Sequence, residues 1–242
     1  QYFTARDPGF RAAVQGWAKQ GAVARWAAAE KSPEEAAWVG TPGMNGPIKA
    51  MADNVARAGR EVLWNTRIER LSHEGGRWVL GTGDATRTAN TVLVAIPAEQ
   101  AAGLLANAAP TFADKAASVT SEPCWAVMAA VDAPLAIEAD SLRNPDAPIS
   151  WAARNSAKPQ RGGGESWVLH ASPSRSREVL DGPKEEVAPI LLADFFGQCE
   201  MPPVQPIHLS AHRWLYAQPA CLRGDPAYYD TAARFGIAGD YL

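Results

Sequence analysis

Gly236-Ile237-Ala238-Gly239-Asp240 is the stretch on which the reading of this chain turns. It is a short apolar strand that closes on Gly-Asp. Glycine lets main chain approach a ligand closely, and the neighbouring carboxylate accepts hydrogen bonds from the hydroxyls of a hydroxylated cofactor chain. A helix after such a strand would turn its positive N-terminus toward a phosphate or an electron-rich ring. Only Tyr241 and Leu242 follow, and the opening Gln1-Tyr2-Phe3-Thr4 has no initiator Met and no leader. The expectation is the interior of a longer protein.

Working outward from that strand, the hydrophobic period changes along the chain. Phe10, Val14 and Trp17 lie at helical spacing within residues 7–20, which predicts a short amphipathic helix. Residues 21–42 are less regular, with Ser32-Pro33-Glu34-Glu35 reading as a helix start. Val39-Gly40-Thr41-Pro42-Gly43-Met44-Asn45 is a Gly/Pro turn feeding a second helix. Met44, Ile48, Met51 and Val55 share one face of it, Pro47 sits in its first turn and Gly59 ends it. The period then drops to two. Residues 61–64 with 67–71, and then 77–80, read as strands of a β-meander turned at Gly75-Gly76 and Gly83-Asp84. Residues 91–97 form a wholly apolar strand, expected inside a sheet covered on both faces. A helix over 98–105, strands over 124–131, 149–154 and 167–171, a helix over 185–196 and a strand over 207–216 follow.

Composition narrows the function classes. The 242 residues are 47% hydrophobic and 20% charged with a net charge of −3, which favours neither nucleic acid nor an anionic membrane. No apolar run approaches the roughly 20 residues that span a bilayer. Cys124, Cys199 and Cys221 are far apart and odd in number, which argues for reduced thiols in a cytoplasmic protein and against a disulfide framework or a zinc site. Of the nine tryptophans most are expected in cores, a few against a flat conjugated ligand. His170, His208 and His212 fall on predicted strands and read as structural. No Ser-His-Asp or metal-ligand spacing stands out, so no catalytic residue and no metal is assigned.

The succession of pieces is more specific than any one of them. The 39–45 turn, the meander, Val94-Ala95-Ile96-Pro97-Ala98-Glu99-Gln100-Ala101, Pro123-Cys124-Trp125, His212-Arg213-Trp214-Leu215-Tyr216-Ala217 and Gly239-Asp240 occur in that order. This resembles the bacterial renalase-like proteins, a branch of the flavin amine oxidase superfamily of FAD-dependent oxidoreductases. The resemblance implies an α+β, two-lobed flavoprotein-like fold. Its incomplete FAD-binding lobe, with the meander, would take residues 1–97 and 220–242, and its antiparallel-sheet substrate lobe residues 98–219. No Gly-x-Gly-x-x-Gly follows a strand, so the N-terminal dinucleotide-binding unit and the helix after Asp240 are expected outside these residues. Sheet strands at 92–96 and 235–238 should then present apolar edges.

Carried over by position, the resemblance implies that Tyr2, Phe3, Gly43 and Met44 lie toward the flavin ring and that Arg67 and Ile68 run beside the adenosine. Ala95 and Pro97 would end a strand near the cofactor, Gly239 and Asp240 would meet the ribityl–pyrophosphate region, and Trp214 and Tyr216 would approach the substrate. The implied activity is oxidation of isomeric dihydronicotinamide dinucleotides by hydride transfer to FAD, with oxygen as acceptor. A flavin amine oxidase acting on a small amine is the alternative among enzymes, and a cofactor-free binding module the alternative of a different class. The partner expected is a small molecule, not nucleic acid or membrane.

Overall fold

The computed structural model describes residues 1–242 apart from Lys31, Pro33, Glu34, Arg223 and Pro226. Its first elements are β1 (Phe3–Thr4), α1 (Pro8–Lys19), β2 (Val23–Arg25), β3 (Ala37–Gly40) and α2 (Gly46–Arg57). Then come β4 (Arg70–Glu74), β5 (Arg77–Thr82), β6 (Ala85–Ala89), β7 (Val92–Val94), α3 (Ala98–Leu105) and α4 (Pro110–Ala117). The rest is β8 (Ser121–Ala130), β9 (Ser141–Arg143), β10 (Ile149–Arg154), β11 (Ser166–Ala171), α5 (Pro173–Glu178), α6 (Lys184–Gln198), β12 (His208–Pro219), β13 (Ala227–Asp230) and β14 (Phe235–Ala238). Helices and mixed sheets together make the class α+β.

Packing divides the chain into two compact units, Gln1–Val62 with Cys124–Arg213 and Leu63–Pro123 with Trp214–Leu242.

In the first unit the sheet β12-β8-β11-β10-β9 carries α6. Val127, Leu169 and Trp167 of the sheet meet Val187, Leu191 and Phe195 of the helix, all fully buried, and the Trp167 and Phe195 rings lie 5.4 Å apart. Each such side chain contributes about 1.5–3 kcal/mol of burial. Arg154 is held at the end of β10 by Glu165 (Nε donating, 3.0 Å) and Asp140 (Nη1 donating, 2.5 Å). The same Glu165 oxygen accepts from Trp167 Nε1 at 2.8 Å. A second, three-stranded sheet, β1-β3-β2, stands at the start of the unit. Helix α1 begins where the Asp7 carboxylate accepts the Phe10 N–H at 2.7 Å, with Pro8 at the position that needs no donor.

The second unit holds the antiparallel meander β4-β5-β6 and the sheet β13-β14-β7, in which β7 and β14 run parallel. Trp78 joins the two sheets: its ring lies 4.6 Å from Phe235 and its Nε1 donates to the Ala233 carbonyl at 2.9 Å.

Several expectations need correction. Residues 61–64 are not a strand, and the meander starts only at Arg70 and takes Ala85–Ala89 as its third strand. The apolar strand expected at 91–97 is only Val92–Val94 and has one covered face: Val92 and Val94 are buried, whereas Leu93 is 69% exposed. Of the two edges expected, β7 is one, whereas β14 is not, because β13 and β7 flank it and Phe235 and Ile237 are buried. The apolar face of α2 faces outward, with Ile48 49% exposed and Met51 and Val55 close behind. The helix start read at 32–35 lies partly outside the described residues, and a 3₁₀ turn at Ala27–Ala29 precedes it.

Candidate functional site

The first unit concentrates aromatic and cationic groups around two tryptophans, Trp26 at the end of β2 and Trp151 on β10. A register shift between Ile149 and Trp151 sets the indole opposite His170 on β11, and the two rings lie 4.8 Å apart. Tyr2 approaches Trp151 from the other end of the chain, at 6.2 Å between ring centroids, and its hydroxyl accepts from Arg143 Nη2 at 3.0 Å. Met44 packs against the same cluster and its sulfur accepts the Gly40 N–H at 3.4 Å.

The 39–46 segment is folded tightly enough to fix Met44 there. The buried Thr41 hydroxyl donates to the Gly21 carbonyl at 2.6 Å. A Cβ on Gly40 would lie 2.5 Å from Gly43 O and 2.7 Å from Met44 Cα. One on Gly46 would run into the carbonyl oxygens of Ala22 and Thr41. Close backbone approach at Gly40 and Gly46, not the Gly43 singled out from sequence, is what this turn demands.

Two cations complete the cluster. Lys158, just after β10, is 3% exposed, and its Nζ lies 5.2 Å from the Trp26 ring centroid and 5.6 Å from that of Trp151. Its side-chain acceptor is Asn155 Oδ1 at a long 3.4 Å. Arg161 donates through Nη2 to the Gly40 carbonyl at 3.1 Å, while its Nε is buried without a partner. The indole N–H groups of Trp26 and Trp151 are likewise buried and unpartnered. Burial, with a contribution from the Arg161 charge, draws the Lys158 ammonium down to about 8. Burial, with a contribution from the Lys158 charge, holds His170 at about 4, so its ring is neutral at pH 7. Among the described residues no carboxylate pairs with Lys158 or Arg161.

The residues expected at the site are therefore distributed. Tyr2 and Met44 meet, with Gly43 in the turn beside them, whereas Phe3 pairs across to Trp38 and turns its ring to Phe10 of α1, 6.0 Å away. In the second unit Ala95 and Pro97 follow β7, and Gly239 and Asp240 follow β14. They leave the carboxyl ends of two adjacent parallel strands, the edge at which open α/β sheets take ligands. Asp240 is exposed and its carbonyl accepts from Cys221 Sγ at 3.0 Å. Arg67 is exposed and Ile68 half-buried in irregular backbone ahead of β4. Trp214 and Tyr216 sit two apart on β12, both exposed, Trp214 by 51%. Sequence reasoning missed Lys158, Arg161, Trp26 and Trp151 as a group. The one available signal was Arg161 opening a Gly-rich loop a short step after a tryptophan-bearing strand.

No family model matches the chain. Its fold is that of several solved oxidoreductases. A protein from Exiguobacterium sp. 255-15 assigned as a protoporphyrinogen oxidase superposes with a TM-score of 0.67 at 17% identity, over 86% of this chain and 48% of that one. Cyclohexylamine oxidase from Brevibacterium oxydans IH-35A gives 0.62 at 16%, over 85% and 48%. An oxidoreductase from Methanosarcina mazei gives 0.64 at 14%, over 85% and 50%. At these identities the likeness is one of fold, and the chain spans about half the length of the structures it matches.

Among the described residues, no helix is long and apolar enough to cross a membrane, and no three His, Cys, Asp or Glu side chains are grouped to hold a metal ion.

Proposed function

We propose that the chain is part of an FAD-dependent oxidoreductase that oxidises a dihydronicotinamide dinucleotide of unusual isomeric form, with oxygen as final acceptor. The carrying observation is the wall made by Tyr2, Trp151 and neutral His170 with Met44 against it, in a fold shared with solved oxidases. Such a wall suits a flat conjugated ring system. The isoalloxazine of a flavin is such a ring system. The residues therefore fit the group.

Bound FAD would supply the hydride acceptor; the protein supplies position and electrostatics. Tyr2, Phe3, Gly43 and Met44 would face the ring, and Arg67 with Ile68 the adenosine. Ala95, Pro97, Gly239 and Asp240 would line the strand ends along the ribityl–pyrophosphate run, with Trp214 and Tyr216 on the substrate side. The dinucleotide-binding strand–turn–helix would be carried by chain outside residues 1–242, in keeping with a match to about half of each solved oxidase. The free thiols of Cys124, Cys199 and Cys221 are in keeping with a cytoplasmic location.

Anaerobic titration of the flavin-loaded, full-length protein tests this reading. Bleaching by dihydronicotinamide isomers is expected. Bleaching by amines alone would install the second reading, an amine oxidase, which the likeness to cyclohexylamine and putrescine oxidases favours. A folded protein that takes up no flavin would leave the cofactor-free binding module.

A further inference from the structure

The buried cations of the first unit have more donors than acceptors. Lys158 is as buried as the tryptophans that flank it, and an ammonium in that position is costly unless something of opposite charge completes it. Its neighbours Trp26 and Trp151, whose rings lie 5.2 and 5.6 Å from Nζ, keep their indole N–H groups buried and unpartnered, as nearby Arg161 does its Nε. The side-chain acceptor within its reach is the Asn155 amide oxygen, at 3.4 Å. Structural clusters of this kind are ordinarily balanced by a carboxylate, as Arg154 is by Asp140 and Glu165 in the same unit. Here, among the described residues, Lys158 has two indole faces and one long contact to a neutral amide oxygen, and no carboxylate.

We propose that Lys158 and Arg161, with the indole N–H groups of Trp26 and Trp151, form a buried oxyanion site that takes a phosphate or carboxylate group of a bound small molecule. The donor set matches that chemistry: one cluster holds a point charge, a guanidinium N–H and two neutral donors fixed by burial. The site also selects by charge. An ammonium ligand would meet two buried cations, whereas the phosphates of a dinucleotide would neutralise them. In this respect the inference deepens the oxidoreductase reading and rests on it for the ligand's role as substrate; the anion site itself is independent of flavin.

The test titrates inorganic pyrophosphate, and in a parallel arm acetate, into the 242-residue chain at constant ionic strength set with sodium chloride. Thermal melting and tryptophan fluorescence report binding. Saturable binding with a raised melting temperature is expected, weakened tenfold or more in Lys158→Met, since hydrogen bonds to a charged group carry at least that factor. Lys158→Arg should retain it, and Trp26→Phe, which keeps the ring and removes the N–H, should lose part. Response to acetate but not pyrophosphate would make the group a carboxylate. No saturable response to either anion, or equal responses in wild type and Lys158→Met, would overturn the site. A protein that binds pyrophosphate yet takes up no flavin would refute only the oxidoreductase reading; one that binds flavin but ignores both anions would refute only the oxyanion site.

Discussion

Replacing Lys158 by Met should make the ligand-free chain more stable at neutral pH, although it removes a group assigned to ligand binding. The magnitude follows from the burial of the ammonium, which lowers its pKa from the ordinary 10.5 to about 8. At about 1.36 kcal/mol per pH unit, that gap is a penalty of up to about 3 kcal/mol. Met occupies a similar volume with an unbranched chain and carries no charge to desolvate. The sign is set by proton uptake. In the unfolded chain Lys158 keeps its proton up to about 10.5, and in the folded chain it releases it near 8. The penalty is therefore complete below about pH 8, and wild-type stability recovers as pH rises toward 10.5. Urea unfolding of wild type and variant, at steps between neutral pH and about pH 10.5, should give a difference of about 3 kcal/mol at the low end. That difference should shrink to near zero at the high end, and titrations common to both proteins cancel in it. A variant less stable than wild type at neutral pH, or a difference independent of pH, would refute the reasoning that Lys158 is a buried, uncompensated cation.

Other residues give further expectations. His170 takes up its proton only near 4 when folded, against about 6.5 when unfolded, so wild type should lose up to about 3 kcal/mol as pH falls through that window. His170→Phe should lack that part of the acid slope in urea melts. Gly46→Ala drives a methyl into two backbone carbonyls and to 2.9 Å from Thr41 N, and should cost about 1–3 kcal/mol by thermal melting. Gly16→Ala, in the open interior of α1, should instead stabilise by about 0.5–1 kcal/mol. Arg154→Met leaves Glu165, 7% exposed, without its cation and should destabilise by about 3–5 kcal/mol in the same assay.

Much of the architecture was legible because it rests on period and punctuation. The helix over 98–105, the helix over 185–196 (observed as Lys184–Gln198) and the strands at 149–154 and 167–171 stand where alternation and helical spacing put them. Short strands escaped: Val23–Arg25 and Ala37–Gly40 are too brief to show a period, and Ala85–Ala89 is a threonine- and arginine-bearing strand without apolar alternation. Residues 91–97 misled for a different reason. An apolar run says that side chains avoid water but not that both faces find cover, and Leu93 does not. The site was legible only in its pieces. Tyr2 and Met44 were named, but their convergence on Trp151 depends on a strand register and a bulge that no local pattern encodes. No sequence pattern singles out Lys158, and only the tertiary packing that buries it gives it a role.

The most direct test of the central claim is the visible absorption spectrum of the protein, expressed at the full length of its coding sequence and recorded as purified. The two bands of oxidised flavin are expected, with loss of the longer-wavelength band when a dihydronicotinamide isomer is added without oxygen. A folded, colourless protein whose spectrum is unchanged by added FAD would contradict it.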